Sequence, residues 1–391
     1  MMARLVAVVP AADAELTRRA LDRDGLLDVG ARAFRTEDGL VALPLTRAPH
    51  ESASSPSPPK MAVRMLEPPG RCGERGPGAA LRAACARAVD GCSASEELLA
   101  AVLAPHALPR RWEKLGDIVL FAQAGLFDEA SPAGAAFAAL PVEARTAIWA
   151  ALASELGATR LGVQGRIEQS LHRKSRARLL WPETDGAGWT VHRDNGIMYG
   201  LDVTRSMFSS GNGTEKTRVA RFPCAGETVV DLYAGIGYFT LAYLVHAGAA
   251  HVHACEWDDD AVQALRHNLT ANRVSDRCTV HVGDNVASAP RLRGVAHRVN
   301  LGLIPSSEAG WPVAIEALRA EGGVLHVHAN VGSAEGDEAA WLDAMLTTLR
   351  TLSEAAGRDW TVSVEHVERV KWYAPRIRHV VADVRCASVE S

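Results

Sequence analysis

Three acidic side chains occupy the places in this chain where binding chemistry is easiest to imagine. Asp231 opens the stretch D-L-Y-A-G-I-G-Y-F-T, residues 231–240, where an apolar strand pattern gives way to a helical one. Glu256 ends the next strand-like run, 25 positions after Asp231, and Asp284 ends the one after that, in H-V-G-D-N. Gly235 and Gly237 let a backbone approach a ligand where a Cβ would clash. A helix beginning near Gly237 would present free amides at its positive end. Asp231 is placed to accept a hydrogen bond from an amino group or an ordered water. Glu256 suits a pair of ribose hydroxyls. Asp284 with Asn285 suits the edge of an adenine. Each feature alone is equally a glycine turn or a solvated acid. Three acids at successive strand ends outline one crevice at the carboxyl edge of a sheet.

Two ligand classes compete for such a crevice. A dinucleotide fingerprint wants glycine at the third position of G-x-G-x-x-G, and here that position is Thr240. This departure, with the acid opening the turn, favours S-adenosylmethionine over NAD. No pattern singles out a general base or a metal site.

The elements that would carry these residues follow from periodicity. From residue 225 onward strands and helices alternate: E-T-V-V-D-L-Y, H-V-H-A-C-E-W, C-T-V-H-V-G-D, H-R-V-N-L-G-L-I and G-G-V-L-H-V-H-A-N-V read as five strands with helices between them. Two last strand-like runs, W-T-V-S-V-E-H-V-E-R-V and I-R-H-V-V-A-D-V-R-C-A, close the chain as a hairpin. The expected fold class is α/β: a Rossmann-like, doubly wound sheet of the class I methyltransferase type, with an antiparallel strand at its edge and smaller N-terminal α/β domains. Residues 1–110 form a region of uncertain fold, with a Ser/Pro-rich linker at 50–59. Residues 111–200 read as a small α/β domain and 201–391 as the main domain. A helix is expected over 140–157.

The bulk numbers set the limits. At 391 residues the chain is too long for one ordinary core. Its 48% hydrophobic and 23% charged residues suit a globular protein without a membrane span. Acidic Asp13 and Glu15 follow the short N-terminal apolar run, which argues against a signal peptide. Seven scattered cysteines without a C-x-x-C pair suggest reduced thiols and a cytoplasmic location. The net charge of −4 argues only weakly against a nucleic-acid partner. The local charge says more. Residues 159–180 hold Arg160, Arg166, Arg173, Lys174, Arg176 and Arg178 against one acid, Glu168, and Trp181 follows. Arg369, Lys371, Arg376 and Arg378 flank Trp372 and Tyr373. Both sets suit phosphate contacts beside a stacked base, and both equally suit a solvated face.

From about Lys114 to Val384 the chain resembles the tRNA wybutosine-synthesizing protein 2 family, relatives of the guanosine-N1 tRNA methyltransferases. The resemblance rests on D-I-V-L-F, on the run from His192 to Ala220, on D-L-Y-A-G-I-G-Y-F-T-L, H-A-C-E-W and G-D-N, and on N-L-G-L-I-P-S-S at 300–307. It implies an enzyme that transfers the 3-amino-3-carboxypropyl group of S-adenosylmethionine to carbon 7 of 4-demethylwyosine, just 3′ of the anticodon in phenylalanine tRNA. It implies cofactor contacts at Ser209, Lys216, Glu256, Asp284 and Asn285. A lysine and a hydroxyl are a reasonable clamp for the α-carboxylate of the methionine end. Asn300 ends the fourth strand in N-L-G-L-I-P, where amino-group methyltransferases place N-P-P-Y. That difference points to an acceptor other than an exocyclic amine. The alternative is methyl transfer to guanosine at the same tRNA position. The resemblance also favours tRNA as the partner of the basic window, which makes 111–200 a small tRNA-binding domain, 201–391 the S-adenosylmethionine-binding transferase domain and 1–110 a candidate tRNA-recognition domain. Oligomeric state is left open.

Overall fold

A computed structural model describes residues 4–9, 14, 17–18, 21, 33–35, 40–45, 62–66, 77–108, 111–165, 175–182 and 188–388. The linker at 50–59, and Arg166, Arg173 and Lys174 of the basic window, lie outside these residues. The chain divides into two compact units, Met1–Ala80 and Leu81–Ser391. The first holds an antiparallel sheet of β1 (Arg4–Val9), β2 (Phe34–Arg35), β3 (Val41–Pro44) and β4 (Ala62–Leu66), in the order β2-β3-β1-β4.

Helix α1 (Pro77–Ala88) runs across the division at 80/81, and α2 (Glu96–Val102) follows in the second unit. A mixed sheet follows, β5 (Trp112–Leu115), β6 (Ile118–Ala122), β7 (Arg160–Gln164) and β8 (Arg178–Trp181), with only β6 and β7 parallel. Parallel neighbours need a crossover, supplied by α3 (Pro132–Ala139) and α4 (Val142–Glu155). The expected helix over 140–157 is α4, and it buries Ile148 and Leu152 completely. A two-stranded hairpin, β9 (Trp189–Asp194) and β10 (Ile197–Asp202), leads through α5 (Gly213–Val219) to the main sheet.

That sheet holds β11 (Thr228–Asp231), β12 (His251–Glu256), β13 (Cys278–Val282), β14 (Arg298–Leu301), β15 (Gly322–Gly332), β16 (Trp360–Ala374) and β17 (Ile377–Ser388). Their order is β13-β12-β11-β14-β15-β17-β16. The connections are α6 (Thr240–Val245), α7 (Asp259–Ala271), α8 (Asn285–Leu292), α9 (Trp311–Ala317) and α10 (Asp337–Ala355). Alternate strand residues face opposite sides. Val229 therefore joins one core with Leu241 and Leu265, while Val230 joins another with Ile315 and Leu349. This is the expected Rossmann-like, doubly wound fold. No helix among the described residues is long and apolar enough to cross a membrane.

One expectation is corrected. The antiparallel strand, β17, is not at the edge; it lies between β15 and β16. Burial gives the reason. Residues 379–384 of β17 are all buried, as an interior strand covered on both faces requires, while β16 is largely half-buried or exposed. A second correction concerns the glycine turn. Gly237 has φ of +99°, which no helical residue adopts, so the helix starts at Thr240 rather than near Gly237.

Asn268 joins the hairpin to the main sheet's helices. Fully buried on α7, its side chain accepts from Gly200 N at 2.6 Å and donates to the carbonyls of Gly200 at 3.1 Å and Ile236 at 2.9 Å. Asn268→Ala strands these buried backbone groups, so urea unfolding should show a loss of roughly 2 kcal/mol. Unchanged stability would mean that water replaces the amide without penalty.

Candidate functional site

The strand order reverses between β11 and β14, and the space beyond the carboxyl ends of the strands there is the usual place for a ligand in such a sheet. A cavity of about 420 Å³ opens there, within the range of small-molecule sites. Its wall includes Ser209, Gly235, Glu256, Asp284 and Asn285 from the sequence expectation. It also includes Arg205, Asn212, Tyr238, Phe239, Trp257, Ile304 and His379, which sequence reasoning did not pick out.

The Glu256 carboxylate is fixed before any ligand arrives. Oε2 accepts from Gly235 N at 2.7 Å, and Oε1 accepts from Trp257 N and Asp258 N, each at 2.9 Å. A carboxylate offers about four acceptor positions, so roughly one is left for a hydroxyl. Burial pushes its pKa up, against the pull of those three amides. Gly235, at φ +57°, makes the bond geometry possible; a Cβ there would lie 2.8 Å from the Tyr238 ring. Asp284 caps α8 by accepting from Val286 N at 2.8 Å. Asn285 donates to Leu232 O at 3.1 Å, which fixes its amide beside the first strand's turn.

Asp231, Gly237, Asn300 and Lys216 are not among the lining residues. Asp231 is fully buried beneath the turn. It accepts from Thr240 Oγ1 at 2.7 Å and from Asn300 Nδ2 at 3.0 Å. Burial raises its pKa, with both bonds opposing the rise. Thr240, the residue that breaks the dinucleotide fingerprint, thus ties the helix to the strand end. Lys216 is 3% exposed; its ammonium lies 2.5 Å from Asp194 and 4.6 Å from the Phe208 ring centroid. Ser209, next to Phe208, reaches the cavity wall from the segment that this lysine holds down.

The missed residues have one legible signal among them. His379 stands directly before the apolar run V-V-A in a strand, and a polar residue there asks for a partner. Asn212, whose buried Oδ1 has no hydrogen-bond partner among the described residues, gave no signal at all. Of the exposed basic and aromatic set, Trp372 and Tyr373 are about half exposed, and the Arg378 guanidinium stacks 4.2 Å from the Trp372 ring centroid.

Fold and cavity define a Rossmann-like transferase. Residues 190–356 match the TRM5/TYW2 methyltransferase domain. A Bos taurus tRNA wybutosine-synthesizing protein 2 homolog is 38% identical over 94% of this chain and 93% of its own length. The chain belongs to the tRNA wybutosine-synthesizing protein 2 family. An Arabidopsis thaliana tRNA wybutosine-synthesizing protein 2/3/4 is 50% identical over 71% of this chain, which spans about a quarter, 26%, of that longer protein. Among solved structures, P. horikoshii TYW2 in complex with MeSAdo is 26% identical with a TM-score of 0.58, over 78% of this chain and all of that one.

Glu256→Ala should abolish nucleoside binding while preserving the fold. Calorimetry with S-adenosylmethionine measures this, and a loss of about 2 kcal/mol or more is expected. A ribose hydroxyl donates to the ionised carboxylate at its remaining acceptor position. Because burial raises its pKa, wild-type affinity should fall as pH drops, and at a higher pH than an ordinary glutamate would give. Affinity that stays flat down to pH about 4.3, the ordinary glutamate value, would sink the assignment.

Proposed function

We propose that this chain transfers the 3-amino-3-carboxypropyl group of S-adenosylmethionine to carbon 7 of 4-demethylwyosine in phenylalanine tRNA. The observation that carries this reading is the strand-end cavity, with a preset Glu256 and the Asp284–Asn285 pair on one side, in a chain of this family. The P. horikoshii relative, solved with MeSAdo, supports a ligand of this kind. Residues 201–391 would serve as the transferase part and 111–200 as a tRNA-binding part. The free thiols of the described cysteines support a cytoplasmic location.

In this reading Glu256 holds the ribose, and Asp284 and Asn285 hold the adenine edge. Gly235 lets the backbone close on the nucleoside. Gly237 sets the turn beneath it, and Asp231 and Asn300 brace that turn from below. Ser209 takes the α-carboxylate from the wall. Lys216 supports it from behind, paired with Asp194 and pressed on Phe208. Three carbons are activated by the sulfonium, and the methyl is the least hindered. Choosing the γ-carbon requires orientation, which can supply roughly 7–11 kcal/mol.

The nucleoside by-product should therefore be 5′-methylthioadenosine, and Lys216→Ala should sharply lower its formation. Chromatography of the reaction on tRNA decides between the readings. S-adenosylhomocysteine with a methylated guanosine would establish methyl transfer instead.

The basic window should carry tRNA phosphates. Replacing Arg173, Lys174, Arg176 and Arg178 by Ala should weaken tRNA binding and lower the log–log salt slope by about 0.7–0.9 per lost contact. Cofactor affinity should hold. An unaltered slope would move the tRNA path elsewhere.

A further inference from the structure

We propose that the tip of the β16–β17 hairpin is a surface for unpaired RNA, on which Trp372 and Tyr373 stack bases of the loop that carries the modified nucleotide while Arg376 and Arg378 meet its phosphates. The inference rests on tRNA being the partner in the functional reading above, which gives these four residues no part.

Topology puts the tip beside the cavity. β15 runs parallel to β14, and β14 parallel to β11, so Gly332 at the end of β15 stands at the carboxyl edge of the sheet. Gly332 pairs with Ile377 of β17, and Ile377 pairs with Ala374 of β16. The turn at Pro375 and Arg376 therefore lies on the same edge of the sheet as the cavity. It is held there, because Ser333 N donates to Arg376 O at 3.0 Å. Arg376 keeps a φ of +62°, uncommon for any residue but glycine. The tip is also continuous with the cavity wall. His379, near the start of β17, is part of that wall. Its partner in register is Lys371, which reaches the segment between two further wall residues, Ser209 and Asn212: a Cβ on Gly211 would lie 2.5 Å from Lys371 Nζ.

The chemistry of the tip selects the partner. Trp372 and Tyr373 are 49% and 45% exposed, with Ile377 beside them at 37%. Large apolar side chains gathered in the open mark a binding surface. Residues 369–379 carry four arginines and lysines and no acid. Arg369 is committed to Glu338 of α10, 2.7 Å away. An aromatic patch set among cations without acids is complementary to bases on a phosphate backbone, and poorly so to an ordinary protein face. Trp372 pairs in register with Arg378, whose guanidinium lies 4.2 Å from the indole centroid. Indole and guanidinium thus form a ready stack that a base extends. Alternate strand residues face opposite sides, so two successive aromatics would ordinarily part. A register shift between Trp372 and Ala374 leaves Tyr373 outside the ladder, and both rings reach solvent. Only RNA with splayed bases offers faces to such rings, as a loop does and a paired helix does not.

The test titrates the full chain with an RNA stem–loop and, in parallel, with a fully paired RNA duplex. Trp372→Ala should weaken stem–loop binding by about tenfold and Tyr373→Ala by about fivefold, with duplex binding changed less than about twofold. Trp372→Phe keeps a stacking ring and should recover most of the affinity. Quenching of indole fluorescence by the stem–loop should be smaller in Trp372→Phe than in wild type. Arg376→Gln and Arg378→Gln should each lower the log–log salt slope by about 0.7, and Tyr373→Ala should leave it unaltered. All these variants should melt like wild type and bind S-adenosylmethionine equally well. Stem–loop affinities of Trp372→Ala and Tyr373→Ala within about twofold of wild type would overturn the inference alone. So would a dimer of the chain that Trp372→Ala breaks up without loss of RNA affinity, since the tip would then cover a second copy. Stem–loop binding that needs Trp372 and Tyr373, in a chain that yields S-adenosylhomocysteine, upholds the RNA surface and overturns the aminocarboxypropyl reading. A wild-type chain with no affinity for stem–loop or tRNA overturns both.

Discussion

A fully buried carboxylate holds the switch point of the main sheet together. Asp231 ends β11, and its two oxygens bind Thr240 at the start of α6 and Asn300 at the end of β14. A strand, the helix that follows it and the neighbouring strand are thereby locked at one point. A buried charge is costly unless it is satisfied, so this triangle tolerates little movement. Glu256 depends on it. The glycine turn that donates Gly235 N to Glu256 is suspended between Asp231 and Thr240. The cavity therefore rests on a preformed polar frame and needs little ordering when a ligand binds.

Much of this was legible in the sequence because it is written in local chemistry. Strand-end acids, turn glycines and alternating β and α patterns are short-range signals. They place Glu256, Asp284, Asn285 and Gly235 on one cavity wall without any knowledge of packing. Asp231 was legible as a strand-end acid, but its burial was not. That depends on Thr240 and Asn300 supplying its bonds, one of them from 69 residues away in sequence. Lys216 shows the same limit. Its type suggests a solvated cation or a carboxylate clamp, and only tertiary structure reveals Asp194 and Phe208 around it.

The place of β17 was hidden for a different reason. A hairpin pattern gives the pairing of β16 with β17 but not which strand faces the rest of the sheet. The contrast between a continuous apolar run and an alternating one carries that information. His379 and Asp383 obscure it, being polar residues inside the interior strand. Both make sense only beside the polar groups of β15 and α5: His326 and His328, and Arg218.

The inserted strand also sets an order of assembly. β17 follows every other strand of its sheet in sequence, yet it lies inside that sheet and carries His379 into the cavity wall. A growing polypeptide can pair β11 to β15 as soon as they emerge from the ribosome. It cannot finish the wall, because β15 waits with one edge unpaired until residues 377–388 arrive. During synthesis the half-built sheet exposes a long edge of unpaired backbone groups, the kind of edge that invites pairing with another chain. The part of the wall that β17 supplies is thus the last of the cavity to form.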